Sequence, residues 1–362
     1  MKNRIIFHVL NSRLKFQNLI LILLGKFHES EAIQCVDHDN QPIDWFFLYK
    51  IPHIKKNKEN KLINGGVAYV YITSTSTNTW KLSNYPITSF RSIVGQTLQP
   101  LYDGNITNTL YILYNDQPPG TNPNSNRGHT KGVVLGNKEG GLWLIHSVPR
   151  FPPPNPIYSY PQTGTIYGQS FLCISLNSKG LNEIGTQLLY NEPHIYAKNI
   201  PSDYLMTYPL LNDVINNVPI ANPPWYNLKN ITSIDGTVFT SFAKTRNFGK
   251  ELYEDWVAPT LLSNLWVESW LLGPGKINST CTRTFSVFNI KSINITSANV
   301  VFDSALDHSK WAITSNDQYN WICVGDINRE NSQSKRGGGT VCLLNKLIAT
   351  SYKSTVNSTQ PC

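Results

Sequence analysis

The sequence predicts a mixed α/β (α+β) fold built from two similar halves, and three observations predict it. Strand-like and helix-like runs alternate along the chain, as sheets covered by helices require. The chain has 362 residues, 40% hydrophobic and only 15% charged, so it can bury a large core and is neither a coiled coil nor disordered. A His-x-Lys followed by a hairpin-like stretch occurs twice, at His129-Thr130-Lys131 and at His308-Ser309-Lys310.

The elements justify themselves in turn. Val67–Thr73 and Leu110–Tyr114 mix β-branched, aromatic and aliphatic residues and read as strands. Leu181, Ile184 and Leu188 recur at helical spacing. In 249–262, Leu252 and Trp256 lie four apart on a helical face, and Pro259 should kink or end that helix. Pro and Gly are scattered rather than clustered, so the chain has many turns and no long linker.

Residues 1–32 read as a secretory signal. A basic stretch ends at Lys15, the apolar run 19–24 follows, and Ser30-Glu31-Ala32 puts small residues where a signal peptidase cuts. The run is too short to span a bilayer, and no later stretch is apolar enough to do so. The formal net charge is +8, part of which belongs to this segment. The remaining mild basic excess fits a polyanion such as DNA and fits an ordinary basic glycoprotein nearly as well.

Six cysteines, Cys35, Cys173, Cys281, Cys323, Cys342 and Cys362, all follow the cleavage site. An even count in a secreted chain implies three disulfides, with the pairing open, and none sits at metal-finger spacing. Sequons at Asn105, Asn230, Asn278, Asn294 and Asn357 agree with passage through the secretory pathway.

The repeated motif carries the chemistry. After Lys131 come apolar 133–135, a turn through 137–141 and a returning run ending at His146; after Lys310 come 311–314, a polar turn and a returning run ending at Asp326. Alternate residues of a strand share a face, so each His and Lys point the same way. If His129 pairs opposite His146 and His308 opposite Asp326, those two residues join the faces, though a one-residue slip would undo this. Two lysines can neutralise a phosphodiester without a metal ion. One imidazole can attack phosphorus to form a phosphohistidine, and the other can protonate the leaving oxygen and then activate water. Asp326 would orient an imidazole and raise its pKa. A general-acid His titrating near ~6.5 implies an acidic working pH. The other histidines, His8, His28, His38, His53 and His194, have no such context and read as structural or surface residues.

Longer stretches resemble the deoxyribonuclease II family. They include Arg127-Gly128-His129-Thr130-Lys131-Gly132, Gly141 through Pro149 with Phe151-Pro152-Pro153, Tyr167 through Cys173, and Ser241-Phe242-Ala243-Lys244. Asp307-His308-Ser309-Lys310-Trp311, Cys323 through Arg329, Arg336 through Thr340, and Pro42 through Lys50 complete the set. The matches run in family order from Cys35 to Cys362.

The resemblance implies a phospholipase D-like pseudo-dimer of two mixed-sheet halves, 33–200 and 201–362, forming one catalytic unit. It implies endonucleolytic cleavage of double-stranded DNA at acid pH to 3′-phosphate products, with no metal or cofactor, in a lysosomal or secreted protein. The family's catalytic histidine of the second block falls on His308. Disulfides are implied between Cys35 and Cys173, Cys281 and Cys362, and Cys323 and Cys342. His129, Lys131, His308, Lys310 and Asp326 are the expected catalytic set. His146, Asn328, Arg329 and Arg336 are the expected substrate contacts. The wider phospholipase D pattern has an Asp after the Lys and four intervening residues; Gly136 and Ser315 stand there, which leaves Asp326 as the candidate carboxylate. His146 would fill the matching place in the first half, or else hydrogen-bond to backbone and hold the hairpin. The Gly337–Gly339 run would form a tight turn or bring backbone N–H groups to a phosphate. Two other readings compete: a related phosphodiesterase acting on single-stranded nucleic acid or lipid, and a non-enzymatic secreted DNA-binding glycoprotein. Monomer and homodimer are equally open.

Overall fold

In the computed structural model, residues 31–362 are described, apart from 56, 105, 155 and 317. The expected signal segment and the Asn105 sequon therefore lie outside the described residues, except for its last two positions. A small ribbon pairs β1 (Cys35–Val36) with β2 (Pro42–Ile43). The first large sheet uses β3 (Trp45–Lys50), β4 (Tyr69–Thr73), β5 (Ser76–Leu82), β6 (Leu110–Asn115), β7 (Lys131–Gly136), β8 (Gly140–His146), β9 (Gln169–Asn177) and β10 (Ile195–Asn199). Their spatial order is β10-β6-β7-β8-β9-β3-β4-β5.

The second sheet uses β11 (Tyr226–Thr232), β12 (Val238–Lys244), β13 (Leu265–Glu268), β14 (Val287–Ile295), β15 (Val300–Asp303), β16 (Trp311–Thr314), β17 (Trp321–Gly325), β18 (Gly338–Leu344) and β19 (Val356–Thr359). Its order is β11-β12-β18-β17-β16-β13-β14-β15, with β19 on β14. The two orders match strand for strand around the His-x-Lys hairpins: β6-β7-β8-β9-β3-β4 answers to β13-β16-β17-β18-β12-β11. Registers agree as well. Lys50 ends β3 opposite Gln169, and Lys244 ends β12 opposite Gly338.

Alternation along the strands explains why their residues are buried on both faces. Trp45, Phe47 and Tyr49 point into one core that also takes Ile293, Trp311 and Tyr352 of the second half. Phe46 and Leu48 point the other way, into a core with Val133, Leu144 and Phe171. A third core holds Phe242, Leu252, Ala312 and Cys323. The helix Ser178–Asn191 contributes Leu181, Ile184 and Leu188 to the shared core, as its spacing predicts, and packs on strands of both sheets. Asn177 caps its start by accepting the Gly180 N–H. The segment expected as a kinked helix is a π-helical turn, Tyr253–Val257, running into Ala258–Thr260, so Pro259 falls within the last turn. By its contacts, 32–362 is a single unit.

Disulfides join Cys35–Cys173, Cys281–Cys362 and Cys323–Cys342, the pairing the resemblance implies. The last links directly opposed residues of β17 and β18. Among the described residues, no helix is long and apolar enough to cross a membrane.

Candidate active site

The strand pairing places each His-x-Lys just where a strand begins. Lys131 is the first residue of β7 and Lys310 directly precedes β16. Each His therefore sits on the entering loop, free of the ladder. The loops are held by the opposite half. The His129 N–H donates to Gly337 O at 2.8 Å, and the His308 N–H donates to Gly168 O at 2.9 Å. Close passage demands glycine here: a Cβ at Gly337 would collide with Asn191 O, and one at Gly168 would collide with the Asp307 carboxylate. The Gly337–Gly339 run thus serves close backbone approach and the start of β18, with Gly339 O accepting the Asp326 N–H.

The imidazoles are anchored reciprocally. His129 Nδ1 lies 2.7 Å from Asp326 O, across in the second half. His308 Nδ1 lies 3.3 Å from Ser147 O, across in the first half. A carbonyl only accepts, so both Nδ1 atoms carry the proton and both Nε2 atoms present a lone pair. Ser147 and Asp326 are counterparts: each follows its returning strand and stands 18 positions after its own half's His.

This corrects the expected registers. The pairs Gly132↔Ile145 and Trp311↔Val324 put Lys131, not His129, across from His146, and the Gly325 N–H donates to Lys310 O. The second hairpin is one residue out of the expected register, which sends the Asp326 side chain away from His308. Its carboxylate accepts Thr130 Oγ1 at 2.7 Å and the Lys131 N–H at 3.4 Å. Asp326 therefore orients an imidazole through its backbone carbonyl and braces the first His-x-Lys through its side chain. Burial pushes its carboxyl up to about 7, against the Thr130 hydrogen bond.

Asp116, absent from the expected set, is the carboxylate nearest an imidazole. It directly follows β6 and is buried. It takes the Lys131 ammonium, receives Arg336 Nη2 at 3.1 Å, and lies 3.9 Å from His129 Nε2. Burial alone would raise its pKa, but Lys131 and Arg336 hold it well below the usual carboxylate range. Its only sequence signal was an acidic residue directly after a strand-like run, which does not say which strand will lie beside it. Arg336, an expected contact, ties this carboxylate to the first half's loop, through Nε to Arg127 O at 3.1 Å.

Among the described residues, no carboxylate of the second half forms an ion pair with His308. By register, the counterpart of Asp116 is Trp270, whose ring lies 5.2 Å from that of His308, with Tyr167 at 6.4 Å. Lys310 Nζ donates to His308 O at 2.6 Å. Burial and the nearby Lys131 push the Lys310 ammonium down to about 7. Burial and the lysines also hold both imidazoles well below their usual range, which favours their neutral form. Behind His308, Asp307 accepts from Tyr49 and from Ser309 Oγ at 2.7 Å and fixes the turn.

The remaining expected contacts lie elsewhere. His146 is fully buried between Phe151 and Phe171, accepts the Val148 N–H at Nδ1, and is pushed down to about 3 by burial and by Lys131. Its backbone-bonding alternative matches this placement. Arg329 is fully buried and gives its guanidinium to Asn289 at 2.7 Å and Glu254 at 3.3 Å, so it holds the second half together rather than facing a phosphate. Asn328 is buried, and its Oδ1 has no hydrogen-bond partner.

A sequence model of the family Deoxyribonuclease II matches residues 34–362. Deoxyribonuclease-2-alpha of Mus musculus is 37% identical over 92% of this chain and 94% of its own length. Plancitoxin-1 of Acanthaster planci is 36% identical over 92% of this chain and 93% of its own. Cell death-related nuclease 6 of Caenorhabditis elegans is 33% identical over 95% and 93% respectively. Fold, site and relatives together define a nuclease, a hydrolase of mixed α/β architecture. The chain belongs to the deoxyribonuclease II family.

Proposed function

We propose that this protein is an acid endonuclease that cuts double-stranded DNA without a metal, through a phosphohistidine, and leaves 3′-phosphate ends. The observation that carries the reading is the reciprocal carbonyl anchoring of His129 and His308, which leaves each with a free Nε2 lone pair beside a lysine. The matching strand orders of the two sheets support a phospholipase D-like pseudo-dimer.

The asymmetry between the halves divides the labour. His308 lies beside aromatic rings and, among the described residues, has no carboxylate ion pair, so it stays neutral and attacks. Its Nε2 forms the bond to phosphorus as the bond from phosphorus to the 5′ oxygen breaks. His129, with Asp116 at 3.9 Å, is the imidazole that can hold a proton and gives it to that oxygen. Water then attacks the phosphohistidine, passes a proton to His129 and frees His308 with a 3′-phosphate product. Lys131 and Lys310 neutralise the phosphoryl oxygens. The incoming phosphodiester supplies the negative charge that raises the His129 pKa in the complex.

The acid dependence has a second source. Lys310, pushed down to about 7, is charged below that pH and neutral above it. Three disulfides fit an oxidising compartment, and with the expected signal segment this supports a lysosomal or secreted protein.

The test is plasmid cleavage by the mature chain at about pH 5 and about pH 7.5, with excess EDTA, bracketing the imidazole range. Nicking and linearisation at the acid pH, unchanged by EDTA, with 3′-phosphate ends, is the expected result. Cleavage only on adding metal, or none by folded protein at acid pH, overturns the reading.

A further inference from the structure

The correspondence between the halves extends past Ser147 and Asp326. Three residues beyond these lie Arg150 and Arg329, so an arginine occupies the same station in each half. Their fates differ. Arg329 is sealed in its half by Asn289 and Glu254. Arg150 is exposed, and among the described residues its guanidinium takes no hydrogen bond or ion pair.

The backbone of Arg150 is held with care although its side chain is free. Its φ is 61°, a left-handed conformation in which a side chain is disfavoured and glycine or asparagine is usual. The segment is pinned there from two sides. The Arg150 N–H donates to Gln117 O at 2.8 Å. The Asn115 side-chain amide donates to Val148 O and to Phe151 O, both at 3.0 Å. Ser147 Oγ and Gln169 Oε1 are 2.6 Å apart.

The same segment touches both parts of the active site. Ser147 O orients His308, and Gln117 adjoins Asp116, which takes Lys131 and Arg336. A planar guanidinium with no partner among the described residues is thus carried on a turn whose own hydrogen bonds tie it to segments that meet both catalytic pairs. A guanidinium matches a phosphate bidentately.

We propose that Arg150 grips a backbone phosphate of the DNA flanking the one that is cut, and so sets the register of the duplex in the site; this rests on the DNA-cleaving function proposed above. It is a binding residue, distinct from the groups that meet the reacting phosphorus.

The test compares the full mature chain with Arg150→Gln, Arg150→Lys and Arg150→Gly. Cleavage of a short duplex is followed across a salt series at acid pH, and duplex binding by fluorescence anisotropy in a His308→Ala background. Loss of one phosphate contact should raise KM and Kd about tenfold in the Gln variant. It should also flatten the slope of log Kd against log salt by about 0.9. Arg150→Lys should keep the slope. Arg150→Gly, which relieves the left-handed backbone, should melt no lower than wild type yet show the same loss as Gln. Wild-type KM and salt slope in Arg150→Gln overturn the proposal, as does wild-type binding by Arg150→Gly, which would assign the effect to loop shape. Absence of cleavage by wild type, with its binding slope still dependent on Arg150, defeats the cleavage reading alone.

Discussion

Asp116→Asn is the sharpest test of how the two histidines divide the work. The substitution keeps the shape of the side chain and removes its charge. In the folded protein that charge lies 3.9 Å from His129 Nε2. At an effective dielectric of ~20, a unit pair at this separation is worth about 4 kcal/mol. Losing that support makes the His129 imidazolium about a thousandfold rarer at a given pH, since 1.36 kcal/mol is about tenfold. Rate on DNA at about pH 5 should fall by up to that factor, and its dependence on acid should steepen. The Lys131 and Arg336 partners lose their buried anion too, so stability should fall by about 3–5 kcal/mol. The assay is kcat against pH for both proteins, with thermal melts to confirm that the variant is folded. A nucleoside 3′-(4-nitrophenyl phosphate) supplies the control, because its leaving group needs no proton. The variant should lose far less on that ester than on DNA. Equal loss on both substrates, or a folded variant with wild-type rate on DNA, would refute the assignment of His129 as the acid.

Three further outcomes are expected. Wild-type kcat/KM should fall as pH rises through about 7, where Lys310 loses its charge, and a pH–rate profile of Lys310→Arg should lack that limb if the variant folds. Arg329→Met should destabilise the protein by about 3–5 kcal/mol in urea unfolding, because Glu254 loses a buried partner, and should leave KM for DNA near wild type; a raised KM with unchanged stability would return Arg329 to the substrate. Replacing Cys323 and Cys342 by serine releases a crosslink spanning 19 positions, for which the chain-entropy account gives about 3 kcal/mol, read as a lower Tm with the remaining disulfides intact.

Much of the architecture was legible because it rests on local chemistry. Leu181, Ile184 and Leu188 announced their helix, and the alternating runs announced β4 and β6 to within two residues. The twin His-x-Lys hairpins fall at matching places in the strand orders of the two sheets. The registers were not legible, since a strand slipped by one or two residues keeps its composition and changes its neighbours. That slip is why Asp326 was assigned to His308, while the folded chain hands its carbonyl to His129. The role of Asp116 is not legible in the sequence, because nothing in a lone Asn-Asp pair says which strand will lie beside it.

Sequence by itself determined the residue types on offer: two imidazoles, two lysines and an even set of cysteines. Tertiary structure decided which of these meet. Each imidazole is oriented by a carbonyl of the opposite half, Arg329 is consumed by an internal ion pair while Arg150 takes no side-chain partner among the described residues, and Asp116 stands beside His129 and joins Lys131 of its own half to Arg336 of the other. The physical reason is range. Propensity and periodicity act over a few neighbouring residues, whereas hydrogen bonds and buried charges act on whatever the packed sheets bring within a few ångströms, nearly two hundred positions away along the chain for His129 and Asp326.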